Sequence, residues 1–481
     1  MDTAQNRKYE KMTKEPIKKL IPKLAIPTII SMLVSSFYNM ADTYFVGKLD
    51  TSASAGVSVA LPVMAIIQAL GFFCGFGSGN FMSRSLGRKD TDSAKKMASV
   101  GFFSAIILGC IIFVLGEIFI EPLVNALGAT NTNSVYAKDY TRILLVGAPF
   151  MMGSYVLNNQ IRFQGNAAYS MIGITSGAII NVFLDPLFIF TLNLGAGGAA
   201  LATVISQIIG FTILLIVNFK TDCLTIKLKN FIPSVSLYKE ICIGGAPSLL
   251  RQGLMSVSSL FLNRISKEYG ILEAASVLQI SEMEITKELA DKSADIVITA
   301  MSVVSKVMFF ASSALIGFGQ GFQPVCAFNF GAKKYARVRE AFKFCVICAT
   351  IFLLVVSVVY STFAEDLVKM VRNDSRVIEI GVKALYLQCI SLPFMGLVIM
   401  SNMMLQSMGK VFRASLLAVS RQGLFFIPAI IIAPMILGLN GVFVSQTISD
   451  LCSFSIALPI QIGIMSELKK IEENEILLVS E

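Results

Sequence analysis

The chain has 481 residues, of which 55% are hydrophobic and only 15% are charged. Soluble proteins carry about 25% charged residues, so this composition, with a mean hydropathy of +0.72, excludes an ordinary water-soluble globule. The net charge of +9 fits either a nucleic acid or a membrane surface as partner, so the positions of the charges must decide. His is absent, which removes the usual proton carrier at neutral pH and leaves carboxylates for proton chemistry.

Long apolar runs recur along the whole chain. Residues 1–23 are polar and basic, and the run that follows is too long for a cleaved signal peptide. Membrane-spanning strands would show alternating segments of about 10 residues, whereas these runs are continuous and long enough for helices. We predict an all-α integral membrane protein with twelve transmembrane helices, near residues 24–46, 53–80, 98–120, 140–161, 170–190, 198–218, 241–263, 298–325, 342–363, 383–406, 414–437 and 441–465.

The loop charges predict the orientation. With the N-terminus inside, the inner segments hold 26 Lys and Arg and the outer segments hold 11. This positive-inside bias predicts that both termini are cytoplasmic. The expected location is the cell inner (plasma) membrane. The bias also explains the basic charge without nucleic acid.

The two halves of the chain repeat each other. A shift of 244 residues superposes the Gly75-x-Gly77 and Gly319-x-Gly321 pairs, and many other residues keep this register over more than a hundred positions. Further matches are Gly87 with Gly331, Pro149-Phe150-Met151 with Pro393-Phe394-Met395, Asn158 with Asn402, and Gly165 with Gly409. Such self-similarity indicates a duplication. Six spans per half give both halves one orientation, so the predicted lobes are related by a pseudo-two-fold axis along the membrane normal.

The duplication sets the predicted domains. They are a cytoplasmic segment 1–23, an N-terminal lobe 24–230, a C-terminal lobe 231–465 and a cytoplasmic tail 466–481. The second half carries an outer insertion near 271–294, predicted to be a solvated helical cap, with an outer gate as the functional alternative. The Gly75-x-Gly77-x-Gly79 run lies in an apolar helix without a following Walker Lys, so we expect close helix packing there and no nucleotide site. The Cys345-x-x-Cys348 pair is interpreted as core cysteines.

Two acids, Asp42 and Asp185, lie clearly within predicted spans. Charges inside a membrane are costly and usually functional. Tyr38 precedes Asp42 by four residues and Asn181 precedes Asp185 by four, so each acid has a polar partner on its own helix face. Pro186 lacks an amide proton and frees a carbonyl one turn earlier, and Pro27 weakens the first span. These prolines are the predicted gating residues, with helix packing as the alternative.

Six motifs follow one another along the chain: Pro27, Asn39-Met-Ala-Asp42-Thr-Tyr-Phe-Val-Gly47, Asn181-Val-Phe-Leu-Asp185-Pro186, Gly195-Ala-Gly-Gly-Ala-Ala-Leu-Ala-Thr203, Arg251-Gln252, and Ser420-Arg-Gln-Gly-Leu-Phe-Phe-Ile-Pro428. Together they resemble the multidrug and toxic compound extrusion (MATE) family, in its bacterial drug-efflux branch. The resemblance covers about Lys19 to Met465. It implies a cation-coupled antiporter that exports organic, mostly cationic, drugs and toxic compounds by alternating access.

The resemblance also implies a coupling-ion site of Asp42 and Asp185 with Tyr38, Asn158, Asn181 and Thr203. The acid that another branch places in the seventh span is Met255 here, so a second-lobe cation site is in doubt. The pocket for an apolar cation is expected to combine Met, aromatic and amide side chains, because Met is adaptable and aromatic faces attract cations. Its candidates are Tyr38, Gln68, Asn158, Met255, Met308, Asn402 and Arg251.

Two membrane transport functions remain open. The first is the drug antiporter, driven by H⁺ or Na⁺, with H⁺ favoured by the branch resemblance. The second is a flippase for a lipid-linked saccharide of the same wider superfamily. No catalytic cluster indicates an enzyme, and no cofactor is expected beyond the coupling ion. The expected partners are small organic cations and the lipid bilayer, with no nucleic acid, and the chain is expected to be a monomer.

Overall fold

The computed structural model describes residues 3–130, 132–221, 223–278 and 287–480. The described chain is built of helices joined by short connections. Their bounds are α1 Thr3–Lys14, α2 Ile17–Val46, α3 Thr51–Gly87, α4 Thr91–Ile118, α5 Ile120–Ala126, α6 Ser134–Phe163, α7 Ala167–Pro186, α8 Gly195–Lys220, α9 Val235–Leu278, α10 Lys287–Gly331, α11 Tyr335–Thr362, α12 Ala364–Val371, α13 Ser375–Cys389, α14 Leu392–Met408, α15 Val411–Val419, α16 Phe426–Leu437 and α17 Leu439–Ser480.

Within the described ranges, ten helices are long and apolar enough to cross a membrane, and the pair α13–α14 makes eleven if it forms one span. The seventh predicted span, 241–263, lies within α9, which is not among them. Arg251, Gln252 and several serines interrupt its apolar run. The break between α13 and α14 bends the tenth predicted span by 57° just before Pro393, which disfavours helical backbone at the residue before it.

Helices α9 and α10 are much longer than a bilayer requires. They contain 44 and 45 residues, so each is about 66 Å long at 1.5 Å per residue, against a hydrocarbon core of about 30 Å. Their extra length coincides with the predicted insertion at 271–294, part of which, residues 279–286, lies outside the described residues. The predicted tail from 466 continues α17 as helix to Ser480.

Helix α6 is the central helix of the first half and packs against α3, α4, α7 and α8. It is the least apolar of the membrane-length helices, yet the largest share of its apolar window, 67%, is buried. A helix surrounded by protein bonds its polar groups to neighbouring helices and need not present an apolar face to lipid.

Glycines let several of these helices approach closely. A Cβ atom on Gly77 would overlap the backbone of Ile241, and one on Gly79 would overlap the ring of Phe163. The prediction of close helix packing for this glycine run is therefore confirmed.

The duplication is visible in the backbone. Lys89 and Lys333, which are 244 residues apart, both have a positive φ, at 63° and 59°. Gly165 and Gly409 share φ values of 81° and 77°. A positive φ is rare for a residue with a side chain, so its recurrence at the Lys pair indicates that both halves fold through the same turn.

The chain divides into two compact units. One comprises Met1–Leu249, Ile316–Ala341 and Met404–Val411, and the other Leu250–Leu315, Phe342–Met403 and Phe412–Glu481. These units are not the predicted lobes, because the first takes in parts of α10 and α14.

Candidate ion-coupling site

Asp185 is a fully buried carboxylate near the end of α7. Asn181, one turn earlier, donates its side-chain amide to Asp185 Oδ2 at 2.9 Å, in the amide orientation that satisfies both of its polar atoms. In the same orientation, the Asn181 side-chain oxygen accepts from the backbone amide of Thr203 on α8 at 3.2 Å. The predicted partners of Asp185 are thus assembled from two adjacent helices, and Asn181 links them.

Asp42 on α2 lies within electrostatic range of Asp185. Its Oδ1 atom is buried and has no hydrogen-bond partner among the described residues. An unpartnered buried acceptor is costly, so this oxygen is suited to bind a proton or a cation.

Two tyrosines complete the polar cluster. Tyr38 on α2 and Tyr140 on α6 are buried, and both side chains interact with the Thr203 side chain and lie within electrostatic range of Asp42. Sequence reasoning missed Tyr140. Its only sequence signal is a polar aromatic residue at the start of the fourth predicted span.

A shallow apolar groove of about 430 Å³ lies beside this cluster between α2 and α7. Its lining residues are Val34, Phe37, Tyr38, Ala41, Ala178, Ile179, Val182 and Phe183. Phe37 and Phe183 are exposed, so the groove is open. Apolar and aromatic side chains thus adjoin the two carboxylates.

Asn158, which is predicted for both the ion site and the substrate pocket, contacts the neighbouring helix. Its Nδ2 atom donates to the Ser170 carbonyl at 2.9 Å, at the start of α7. Asn402, its equivalent in the second half, donates to the Ala414 carbonyl at 2.6 Å. The two halves therefore use the same asparagine to hold the first turn of the next helix.

The remaining predicted pocket residues are divided between the two units. Gln68 is half-buried on α3 in the first unit. Met255, which is 41% exposed, and the half-buried Met308 belong to the second unit. Also in that unit, Arg251 donates to Asn402 Oδ1 at 3.3 Å.

The predicted gating prolines occupy two different settings. Pro27 lies inside α2, and the next residue, Thr28, donates its hydroxyl to the Gly317 carbonyl at 2.6 Å. Pro186 ends α7, and a π-helical segment, Leu187–Thr191, follows at once. Missing proline amides and π-helical turns both interrupt regular helix hydrogen bonding.

The second half contains a buried ion pair. Arg421 Nε pairs with Asp450 Oδ1 at 2.9 Å. Asp450 is 1% exposed. The residues that pair are 29 positions apart, and sequence spacing gave no sign of their contact.

The MatE family model matches the chain twice, over residues 27–187 and 274–432. The chain belongs to the MatE family. The two matches correspond to the two repeated halves, and together they cover most of the sequence.

Curated relatives match this family member over nearly its full length. The multidrug export protein MepA of Staphylococcus haemolyticus is 28% identical over 91% of this chain and 92% of the relative. MepA of Staphylococcus aureus is also 28% identical, over 92% of this chain and 94% of the relative.

Solved structures give the same fold. An outward-facing multidrug resistance MATE family transporter of the MOP superfamily is 25% identical, with a TM-score of 0.86 over 95% of this chain and 98% of that one. A MATE structure in a straight conformation gives the same score and identity over 96% and 99%. The MATE fold, with twelve transmembrane helices in two lobes, is thus the fold of this chain.

Proposed function

We propose that this MatE member is an ion-coupled antiporter that exports organic, mostly cationic, compounds by alternating access. The observation that carries the proposal is the pair of Asp42 and Asp185, which lie within electrostatic range of each other among polar side chains of α2, α6, α7 and α8. The multidrug-export names of the curated relatives support a drug exporter over the lipid-linked saccharide flippase.

The acid pair has the chemistry that coupling to an ion requires. Burial and a second carboxylate both favour the protonated form of an acid, so such a pair binds a proton where an isolated Asp does not. Carboxylate and hydroxyl oxygens also suit Na⁺, and the tyrosine and threonine hydroxyls here supply them. H⁺ is the ion that we favour, because the sequence resembles the drug-efflux branch.

The proposed cycle follows from competition between ion and substrate. Substrate binds from the cytoplasm while the two acids carry at most one proton, and the protein then opens outward. A proton or Na⁺ from outside neutralises the acids, the proline-containing α2 bends, and the substrate leaves. Each net charge that moves inward per cycle supplies about 2.3 kcal/mol per 100 mV, which sustains roughly a fiftyfold gradient of an uncharged substrate. Export of a cation in exchange for one ion moves no net charge, so it draws on the concentration gradient of the ion.

The substrate pocket is proposed to be built from Tyr38, Gln68, Asn158, Met255, Met308, Asn402 and Arg251. An adaptable apolar and aromatic lining accepts differently shaped cations, which is what multidrug export needs.

Asparagine at either acid position tests the proposal. Asp42→Asn and Asp185→Asn keep the side-chain shape and remove the charge, so we expect loss of most of the gradient-driven dye efflux, about tenfold or more. Asp139→Asn is the matched control, since Asp139 is an exposed acid on α6. Efflux should be measured in whole cells or vesicles with an imposed pH or Na⁺ gradient.

Unchanged gradient-dependent efflux in both variants would refute the coupling role. If the protein transports no dye but moves a lipid-linked saccharide across the membrane, the result supports the flippase function. The gradient that drives uptake into inverted vesicles identifies H⁺ or Na⁺ directly.

A further inference from the structure

The N-terminal helix α1 is fastened to the turn between α10 and α11. Three side chains of this turn region donate to carbonyl oxygens at the end of α1: Asn329 to Met12 at 3.0 Å, Lys334 to Thr13 at 3.2 Å, and Arg337 to Glu15 at 2.8 Å. The last carbonyls of a helix lack partners in their own helix and carry partial negative charge. Two cations and an amide therefore cap α1 from a part of the chain more than 300 residues away.

Apolar contacts seat the same helix. Met12 is 1% exposed, and its sulfur would lie 3.1 Å from a Cβ atom on Gly165, in the turn between α6 and α7. The Tyr9 ring contacts the Phe328 ring at a centroid distance of 5.8 Å, and Lys89 Nζ lies 4.7 Å from the Tyr9 ring centre. Helix α1 thus binds turns of the first repeat and the end of α10 in the second repeat at once.

The site where α1 docks adjoins a close junction between α3 of the first repeat and α10 of the second. A Cβ atom on Gly87 would overlap the Phe328 carbonyl, and one on Gly331 would overlap the Arg84 carbonyl. Arg84 also pairs with Glu240 at 2.8 Å and donates to the Ser407 carbonyl at 3.1 Å. This junction lies at the predicted cytoplasmic ends of α3 and α10, and Phe328 contacts both α1 and α3.

We propose that α1 is a releasable strap that holds this junction closed and must undock before the cytoplasmic side opens to substrate. The inference rests on the proposed alternating access. The contacts of cationic side chains with the carbonyl oxygens at the end of α1 stabilise the state that is closed to the cytoplasm. Removing them shifts the population towards the inward-open state.

Thiol labelling tests the first half of this proposal. Ser83 is fully buried at the junction, where it donates to the Pro324 carbonyl, so Ser83→Cys is a reporter that water reaches only when the junction opens. N-ethylmaleimide labelling at position 83, quantified by peptide mass spectrometry in the full-length protein, should rise about tenfold with Arg337→Gln. Asn329→Leu should act in the same direction.

The control for this test is Lys14→Gln, which removes only the exposed ion pair of Lys14 with Glu10 on α1 itself. It should leave labelling unchanged. Unaltered labelling in both Arg337→Gln and Asn329→Leu would overturn the proposal. The labelling needs no transported substrate, so its result is independent of the result of the efflux assay.

Cross-linking tests the requirement for release. In a Tyr9→Cys/Phe328→Cys protein, a short thiol cross-linker that dithiothreitol cleaves should abolish dye efflux, and cleavage should restore it. A variant that carries only one of the two substitutions should keep its efflux after the same treatment. Full efflux from the cross-linked protein would show that α1 need not undock and would refute the proposal, provided that the untreated protein transports.

Discussion

Asp450 is a buried carboxylate whose charge is met by three donors. Arg421 pairs with it at 2.9 Å, Gln446 donates at 2.8 Å and Ser391 at 3.2 Å. These partners come from the π-helical segment Ser420–Leu424, from α17 and from the α13–α14 break. Both carboxylate oxygens of Asp450 thus have hydrogen-bond partners, in contrast to Asp42, which has an unpartnered oxygen.

Removal of the arginine should therefore destabilise the protein strongly. Arg421→Leu leaves a buried charge without its cation, which costs about 3–5 kcal/mol of stability, so thermal unfolding in detergent should occur at a clearly lower temperature. Arg413→Gln is the control, because its pair with Glu467 is exposed and contributes at most about 1 kcal/mol.

The second variant separates charge from packing. Asp450→Asn in the Arg421→Leu background removes the unpaired charge and should recover part of the lost unfolding temperature. If Arg421→Leu unfolds at the wild-type temperature, this ion pair is not a structural one.

At the scale of elements, helix contacts depend on positions without a side chain. Gly331, the last residue of α10, lies against the backbone of Arg84 on α3, and Gly441 near the start of α17 lies against Ala433 of α16 in the same way. Backbone atoms cannot rotate away as a flexible side chain does, so an added methyl group must separate the two helices.

We accordingly expect Gly331→Ala to loosen the α3–α10 junction. Overpacking of this kind costs about 1–3 kcal/mol, and the effect should appear as faster labelling of the Ser83→Cys reporter and a lower unfolding temperature. Gly253→Ala in α9 is the matched control, because no atom lies within 4 Å of its added Cβ and Ala favours helix. Equal labelling rates and equal unfolding temperatures in the two variants would contradict the packing argument.

At the scale of the whole molecule, the two halves share turns and helix contacts but differ in their buried charged residues. The asparagine hydrogen bonds to carbonyls in the first turns of α7 and α15, and the turns at Lys89 and Lys333, recur in both halves. The carboxylate pair of the first half has no such recurrence. In the second half, Arg421 lies in the span that corresponds to that of Asp185, and it pairs with Asp450 of the twelfth predicted span. We therefore propose that ion coupling is confined to the first half.

The orientation predicted from charge is a property of the whole chain and is directly testable. A fluorescent protein fused to either terminus should fluoresce, because the fold matures in the cytoplasm and both ends are predicted to lie there. A fusion inserted after Ala129, in a predicted outer loop, should stay dark. If the loop fusion fluoresces and the fusions at both termini stay dark, the topology is the opposite of the predicted one.

The sequence alone determined that this is a membrane protein and that its two halves are duplicated. It also singled out Asp42 and Asp185 as acids within predicted spans. Composition, the length of the apolar runs and the constant 244-residue register can all be read from the linear chain. The spans follow from them because each membrane helix satisfies its backbone hydrogen bonds locally. The same is true of the spacing of four that placed Asn181 beside Asp185 on one helix face.

Only the tertiary structure decided which polar groups meet across helices. Tyr140 joins Thr203, Arg421 joins Asp450, and Arg337 caps α1, each across a sequence gap that no local pattern specifies. Inside a membrane protein a buried polar group must find a partner, but the partner is set by the packing of distant helices. Sequence therefore identified the costly groups, and the folded structure determined which were paired and which, like Asp42, kept an oxygen without a partner.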